Sequence, residues 1–366
     1  MELARMPEPQ REQIEHAIAS YHDPYLESDL RSARAIKSLD IESGRVRVGV
    51  MLGFPAAGHR TALAAALSER IRAVDGVRDV EVEVGWKVAS HAVQAGLEAL
   101  KDVRNIIAVA SGKGGVGKST IAANLALALS AEGATVGVLD ADIYGPSQPR
   151  MLGAQGQPDS PDGKSLEPMT SYRIQSMSIG YLIEEDTPMI WRGPMVTQAL
   201  EQLLRDTNWR ELDYLVVDLP PGTGDIQLTL AQRIPVSGAV IVTTPQNIAL
   251  LDARKGLAMF EKVKVPVLGI IENMSTHICS HCGHEDHIFG EGGGQRMAEE
   301  HGVALLGDIP LTRSIREDAD GGQPTVVKDP DGPIGRRYRE IARRVAAKLS
   351  LKAKDYSQAF PKIVIQ

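Results

Sequence analysis

Cysteine is scarce in this sequence: 366 residues hold two, Cys279 and Cys282, three positions apart. One close pair excludes a disulfide framework and fits a reducing compartment such as the cytoplasm. Long hydrophobic runs are missing too. No apolar stretch approaches the roughly 20 residues of a membrane-spanning helix. The opening residues, Met1-Glu2-Leu3-Ala4-Arg5-Met6, lack the apolar core of an export signal, so a cytoplasmic location with no membrane partner is expected. Positive charge is not in excess either. The formal net charge of −7 removes a global electrostatic case for nucleic acid as a partner. With 43% hydrophobic and 24% charged residues the composition is that of a soluble globular protein, in a chain long enough for two domains at about 150 residues each.

The chain is organised around Gly112-Lys113-Gly114-Gly115-Val116-Gly117-Lys118-Ser119, which fits the phosphate-cradling pattern G-x-x-x-x-G-K-[ST]. Ile106-Ile107-Ala108-Val109-Ala110 before it reads as a buried strand. The run from Ser119 and Thr120 to Leu129 reads as a helix, with Leu125 and Leu129 four apart. Glycines let the backbone wrap a phosphate, and N–H groups at the helix start point at it, aided by the helix dipole. The nine residues Gly112, Lys113, Gly114, Gly115, Val116, Gly117, Lys118, Ser119 and Thr120 are therefore candidates for binding ATP. Lys118 is expected to reach the β- and γ-phosphates, and the Ser119 hydroxyl to hold Mg²⁺.

A second lysine directly after the first glycine is not needed to cradle a phosphate within one subunit. Lys113-Gly114-Gly115-Val116-Gly117-Lys118-Ser119 resembles the deviant Walker A loop of the dimeric ATPases that include ParA, MinD and the nitrogenase iron protein. In those relatives the first lysine crosses a dimer interface to the other subunit's nucleotide. The resemblance implies a homodimer through the ATPase domain, with Lys113 acting in trans like an arginine finger.

Residues 1–100 read as a separate small α/β domain. A helix is expected over 10–20. Val46, Val48, Val50 and Leu52 alternate with Arg45, Arg47 and Gly49 as a half-buried strand, and Gly44 suits a hairpin turn. A helix over 60–74 follows, then a strand in which Val80, Val82 and Val84 alternate with Asp79, Glu81 and Glu83 up to Trp86. Residues 87–104 read as a polar, helical connector. With His22-Asp23-Pro24 after the first helix, this order resembles the iron–sulfur-assembly domain often fused ahead of such ATPases. That domain usually carries a cysteine in a Pro-Ala-Cys-Pro stretch. Here Phe54-Pro55-Ala56-Ala57-Gly58 has no thiol, so docking or regulation is expected of the domain instead of cluster binding.

Residues 101–350 read as the ATPase domain. Thr135-Val136-Gly137-Val138-Leu139 is a second buried strand ending in Asp140-Ala141-Asp142, and Asp213-Tyr214-Leu215-Val216-Val217-Asp218 a third. Apolar strands alternating with helices indicate an α/β fold with a mostly parallel sheet covered by helices on both faces, whose carboxyl ends bind the ligand. Asp142 is the candidate for orienting the attacking water, within a run that resembles the family's first switch. Asp218 is placed as a Walker B carboxylate, so Ser119, Asp142 and Asp218 form the expected Mg²⁺ set. Leu219-Pro220-Pro221-Gly222-Thr223-Gly224-Asp225 resembles the second switch of the Mrp branch and of the nitrogenase iron protein. Residues 153–171 read as an exposed loop. Ile190-Trp191-Arg192-Gly193-Pro194, ahead of a helix over 195–204, resembles an element near the dimer interface. Further strands are expected at 238–243, 265–271 and 302–307, an amphipathic helix at 333–349, and a loosely attached tail over 351–366. Asn273 matches the relatives' adenine-contacting asparagine, whose amide offers both a donor and an acceptor.

Cys279-Ser280-His281-Cys282 lies among His277, His281, His284 and His287. Two thiolates leave three completions open: a Cys₂His₂ zinc site, a cluster bridged by four cysteines from two subunits, or a redox dithiol. The surrounding run, Asn273-Met274-Ser275 through Gly292-Gly293-Gly294, is very similar to the Mrp family of iron–sulfur cluster carrier ATPases. That resemblance covers about residues 100–345. It implies an ATPase that carries a [4Fe–4S] cluster on Cys279 and Cys282 of two subunits, receives it from an upstream scaffold and passes it to apo iron–sulfur proteins. The rival readings are a positioning switch of the ParA or MinD kind, an electron donor like the nitrogenase iron protein, and a zinc-stabilised nucleotide-binding protein.

Overall fold

Hydrophobic alternation builds the first of two units, which runs to Ala89 and includes Ala346–Lys352. The structure is a computed structural model and describes residues 9–183, 193–279 and 281–355. The Ile190-Trp191-Arg192 stretch and residues 356–366 of the expected tail lie outside them. Helix α1 (Arg11–Ala19) is followed by strands β1 (Ile36–Glu42) and β2 (Arg45–Leu52), helix α2 (Arg60–Arg72) and strand β3 (Asp79–Trp86). Ser43 and Gly44 both take positive φ, 49° and 83°, in the two-residue turn whose twist suits a hairpin. Helix α2 then carries the chain across to β3, which lies parallel to β2. Val46, Val48, Val50 and Leu52 of β2 are buried, as are Leu63, Leu67 and Ile71 of α2. Sequence periodicity does not reveal β1, because a bulge between Ile36 and Ser38 breaks the alternation.

The second unit runs from Ser90 to Val345 and takes in the residues from Ala353. Its first stretch corrects an expectation: residues 90–104 form turns instead of a helix. Gly96 and Asp102 take positive φ, which interrupts helical backbone. Side chains tie the segment down instead. His91 Nδ1 is 2.8 Å from Asn105 Oδ1, and Gln94 Nε2 donates to the Ala231 carbonyl at 2.8 Å.

From there the chain alternates strands and helices: β4 (Ile106–Ser111), α3 (Lys118–Ala131), β5 (Val136–Asp140), α4 (Gln148–Met151), β6 (Met169–Ser171), β7 (Ile174–Ser178), α5 (Gly193–Asp206), β8 (Tyr214–Asp218), α6 (Asp225–Arg233), β9 (Gly238–Thr243), α7 (Asn247–Lys262), β10 (Val267–Ile278), β11 (Glu285–Asp286), α8 (Gly293–His301), β12 (Leu305–Leu311), α9 (Arg313–Asp320), α10 (Thr325–Lys328) and α11 (Pro333–Ser350). The described strands make one nine-stranded sheet in the order β11-β10-β9-β4-β8-β5-β7-β6, with β12 also on β10. Only β6 and β11, at its edges, run antiparallel to their neighbours. Every residue of β4, β5, β8 and β9 is buried, so both faces of the sheet are covered, as the near-continuous apolar runs predict. Two strands extend beyond expectation. β6 lies in the predicted loop over 153–171, and β10 continues past 271 to the residue before Cys279. No helix among the described residues is long and apolar enough to cross a membrane.

A buried charge fixes α11 on α3. Glu132, fully enclosed at the C-terminal end of α3, accepts from Arg339 Nε at 2.8 Å and Arg343 Nη1 at 2.6 Å. Cations at a helix C-terminus also suit its dipole. Truncating Glu132 leaves a buried guanidinium without its counter-charge. Glu132→Ala is therefore expected to cost about 3–5 kcal/mol in urea unfolding, well above a surface ion pair's ~1 kcal/mol.

Candidate functional site

The glycine loop is shaped by what presses against it. A Cβ on Gly112 would lie 2.1 Å from the carbonyl carbon of Asp252, so the backbone of α7 leaves room for hydrogen only. Gly115 and Gly117 take φ of 83° and 80°, a region glycine enters without strain. Gly117 also lies under Asn273: a Cβ there would meet Asn273 Nδ2 at 2.3 Å. The Asn273 amide donates to the Val116 carbonyl at 2.8 Å, so this predicted adenine contact braces the loop. Across the mouth, the Gly222 N–H donates to the Ser111 carbonyl at 3.0 Å, which draws the Pro220-Pro221-Gly222 turn over the loop.

The result is a pocket of about 300 Å³, lined by Lys113 through Thr120 with Asp142, Ser147 and Pro221. A larger hollow of about 630 Å³ lies in the first unit and is lined by Met51, Arg60 and Glu83 among others, but it includes none of the glycine-loop motif. Chemistry, not size, selects the smaller one. Lys113 is half-buried and has no ion-pair partner among the described residues. Lys118, in contrast, is buried, with Nζ 2.5 Å from Asp218 Oδ1 and 3.3 Å from Ser119 Oγ.

The sheet register sets Asp218, the last residue of β8, beside Asp140, the last of β5. Asp140 was not singled out from sequence. Its carboxylate, fully buried, accepts from the backbone N–H groups of Asp142, Ser147 and Gln148 and from the Ser178 hydroxyl. Burial, reinforced by the Asp218 charge, raises its pKa to about 7. Asp142 is half-buried and lines the pocket. Burial also pushes its pKa up, against the attraction of Lys118. Gln148 is the other residue that sequence did not single out. Its amide spans Ser119 O and Asp218 Oδ2, at 3.0 Å each. The signal for Asp140 was present: both it and Asp218 end apolar strands. Gln148 had no such signal. Carboxylate and hydroxyl oxygens are the donor types that a hard divalent cation such as Mg²⁺ takes, which is the chemistry expected of Ser119, Asp142 and Asp218.

At the far end of β10 the chain turns sharply. The Cys279 N–H donates to the His284 carbonyl and the Gly283 N–H to the Cys279 carbonyl, each at 2.9 Å. Cys279 is half-buried and Cys282 exposed. Backbone N–H groups of Cys282 and His281 at the Cys279 sulfur lower its pKa and favour the thiolate that metals bind. Among the described residues no three His, Cys, Asp or Glu side chains converge into a group that could hold a metal ion.

The sequence pattern of the NUBPL iron-transfer P-loop NTPases matches residues 102–346. The chain belongs to that family. The pattern of an iron–sulfur cluster assembly protein matches residues 11–84, the first unit. Among curated relatives of this NUBPL-type chain, the "Iron-sulfur cluster carrier protein" of Salmonella typhimurium is 50% identical over 94% of each chain. The "Iron-sulfur cluster transfer protein NUBPL" of Mus musculus is 52% identical, covering 68% of this chain and 79% of its own. Among solved structures, a nucleotide-binding protein from Archaeoglobus fulgidus in complex with ADP is 37% identical and aligns with a TM-score of 0.54, over 63% of this chain and 90% of that one. Both halves of the fold expected from sequence, a P-loop NTPase and a small α/β domain ahead of it, are thereby established.

The raised Asp140 carboxyl makes a testable demand on the nucleotide-free NTPase. Its stabilising contribution is complete below the unfolded value of 3.8, and is lost as pH rises towards about 7. The melting temperature should therefore fall between pH 4 and pH 7 on this account, and Asp140→Asn should flatten that slope in thermal scans.

Proposed function

We propose that the protein is an ATP-hydrolysing iron–sulfur cluster carrier, with a [4Fe–4S] cluster as cargo held between two subunits and handed to apoproteins. The observation that carries this reading is the course of β10. One strand bears Asn273, hydrogen-bonded to the glycine loop, and ends against Cys279. Six residues of this one strand, with a bulge at Met274, join the nucleotide loop to an exposed thiol turn. The names of the carrier and transfer relatives support the cargo, and the ADP-bound relative supports the nucleotide.

In the proposed reaction a water oxygen attacks the γ-phosphorus, the bond to the β–γ bridging oxygen breaks, and ADP and phosphate leave as the water gives up a proton. Backbone N–H groups of the loop bind the phosphates. Lys118 turns from Asp218 to the β- and γ-oxygens, and Lys113 of a second copy neutralises charge that develops in the transition state. Asp142 orients the attacking water. Bound Mg²⁺, held by Ser119, Asp142 and Asp218, would neutralise phosphate charge. Asn273 Oδ1 is the acceptor for the adenine amino group.

Two features support the dimer. Ile248 and Leu251 are 68% and 55% exposed on α7, the helix whose backbone packs on Gly112. Two thiols per chain also require a second copy to supply the four that a cubane cluster takes.

Anaerobic reconstitution with iron and sulfide tests the cargo. Wild type should become a brown dimer with about four irons per two subunits, and Cys279→Ala and Cys282→Ala should each stay colourless. One zinc per monomer in a colourless wild type would overturn the carrier reading while leaving the NTPase. Lys113→Ala tests the trans lysine. It should retain nucleotide binding and lose roughly a thousandfold or more in ATP turnover, as removal of an arginine finger does. Turnover within a few-fold of wild type would refute that role.

A further inference from the structure

Gln148, the first residue of α4, is fully buried beside the phosphate pocket, yet the proposed hydrolysis gives it no part. Its backbone N–H donates to Asp140 Oδ2 at 3.0 Å. Its side-chain amide donates to the Ser119 carbonyl and to Asp218 Oδ2, both at 3.0 Å. Chemistry sets the orientation of this amide. Turned over, it would aim Oε1 at a carbonyl and a carboxylate, which are both acceptors. The cost of the observed orientation is that Oε1 is buried with no hydrogen-bond partner. Packing alone would be better served by leucine or methionine, which bring no orphaned acceptor. What the position gains from glutamine is its two donated bonds.

Asp218 is thus gripped at both oxygens, by Lys118 at Oδ1 and by Gln148 at Oδ2. The two grips differ in kind. Lys118 carries a charge on a flexible stem, which the phosphates of an arriving nucleotide attract. The Gln148 amide is neutral and enclosed, and its backbone is anchored to Asp140. We propose that Gln148 is a positioning residue, which keeps the Asp218 carboxylate aimed at Mg²⁺ when Lys118 leaves it for the phosphates. This inference rests on the nucleotide reading above. The same amide also ties the segment between Asp142 and α4 to the start of α3, so the cation-binding groups keep their spacing as the lysine moves.

The test is binding, not turnover. A fluorescent ADP is titrated into full-length protein with and without Mg²⁺, for wild type, Gln148→Leu and Gln148→Glu. In wild type Mg²⁺ should tighten ADP. In Gln148→Leu, which keeps the volume and removes the donors, the ratio of affinities with and without Mg²⁺ should fall about tenfold, the worth of one hydrogen bond to a charged group. In Gln148→Glu, which turns an anion on Asp218, it should fall further. Circular dichroism and thermal melting report whether each variant folds, and Gln148→Met carries the same test if the leucine variant does not. An unchanged ratio in the apolar variant overturns the proposal. So does equal weakening with and without Mg²⁺, which would make Gln148 a packing residue. A wild type that binds no ADP in either condition refutes the nucleotide reading, and the proposal falls with it.

Discussion

Lys118 and Asp218 face each other at 2.5 Å in the interior, and the organisation of the second unit depends on that ion pair. Two charges taken out of water are tolerable only when each satisfies the other, so the pair locks the first turn of α3 to the end of β8. Because β5, β8 and β4 are adjacent and parallel, the lock also fixes where Asp140 and the glycine loop lie. Negative charge is in surplus there: one buried lysine serves Asp218 while Asp140 and Asp142 are pushed towards their neutral forms. On the reading proposed above, a bound Mg²⁺ would relieve that surplus. The arrival of a nucleotide with it would exchange one set of charge partners for another.

Close backbone approach gives the loop its second set of constraints. Gly112 is pressed by α7, and Gly117 lies under Asn273. The elements touching the loop therefore include the helix with exposed Ile248 and Leu251 and the strand that leads to Cys279. A shift of the loop on nucleotide binding has two rigid outlets, one towards the proposed subunit interface and one towards the thiols. Switching proteins commonly convert small displacements at a phosphate into larger ones at an interface through such packed elements. The tight turn after β10, with backbone N–H groups on the Cys279 sulfur, favours its thiolate at the end of the second outlet.

Local features were readable from residues alone. The glycine loop, the strands ending at Asp140 and Asp218, and the alternating strands of the first unit declare themselves through spacing and period. Elements whose form depends on distant partners did not. β1 was hidden because a bulge breaks its alternation. The segment 90–104 looked helical, but Asn105 and Ala231 hold it in turns. The extension of β10 to Ile278 depends on pairing with β12 and β11, which no local propensity expresses.

By itself, then, the sequence determined the kind of site: a phosphate loop with two lysines, carboxylates at strand ends, and one pair of thiols. These follow from residue type and spacing over a few positions. Only the tertiary structure decided which groups share charge. Strand register brought Asp140 beside Asp218, although 78 positions separate them in the chain. The enclosure of Gln148 turned an ordinary amide into a bridge between α3 and β8. The physical reason is range. Periodicity and motif report forces acting within a turn or a strand, whereas electrostatics in a buried site act between whatever the fold brings within hydrogen-bond reach.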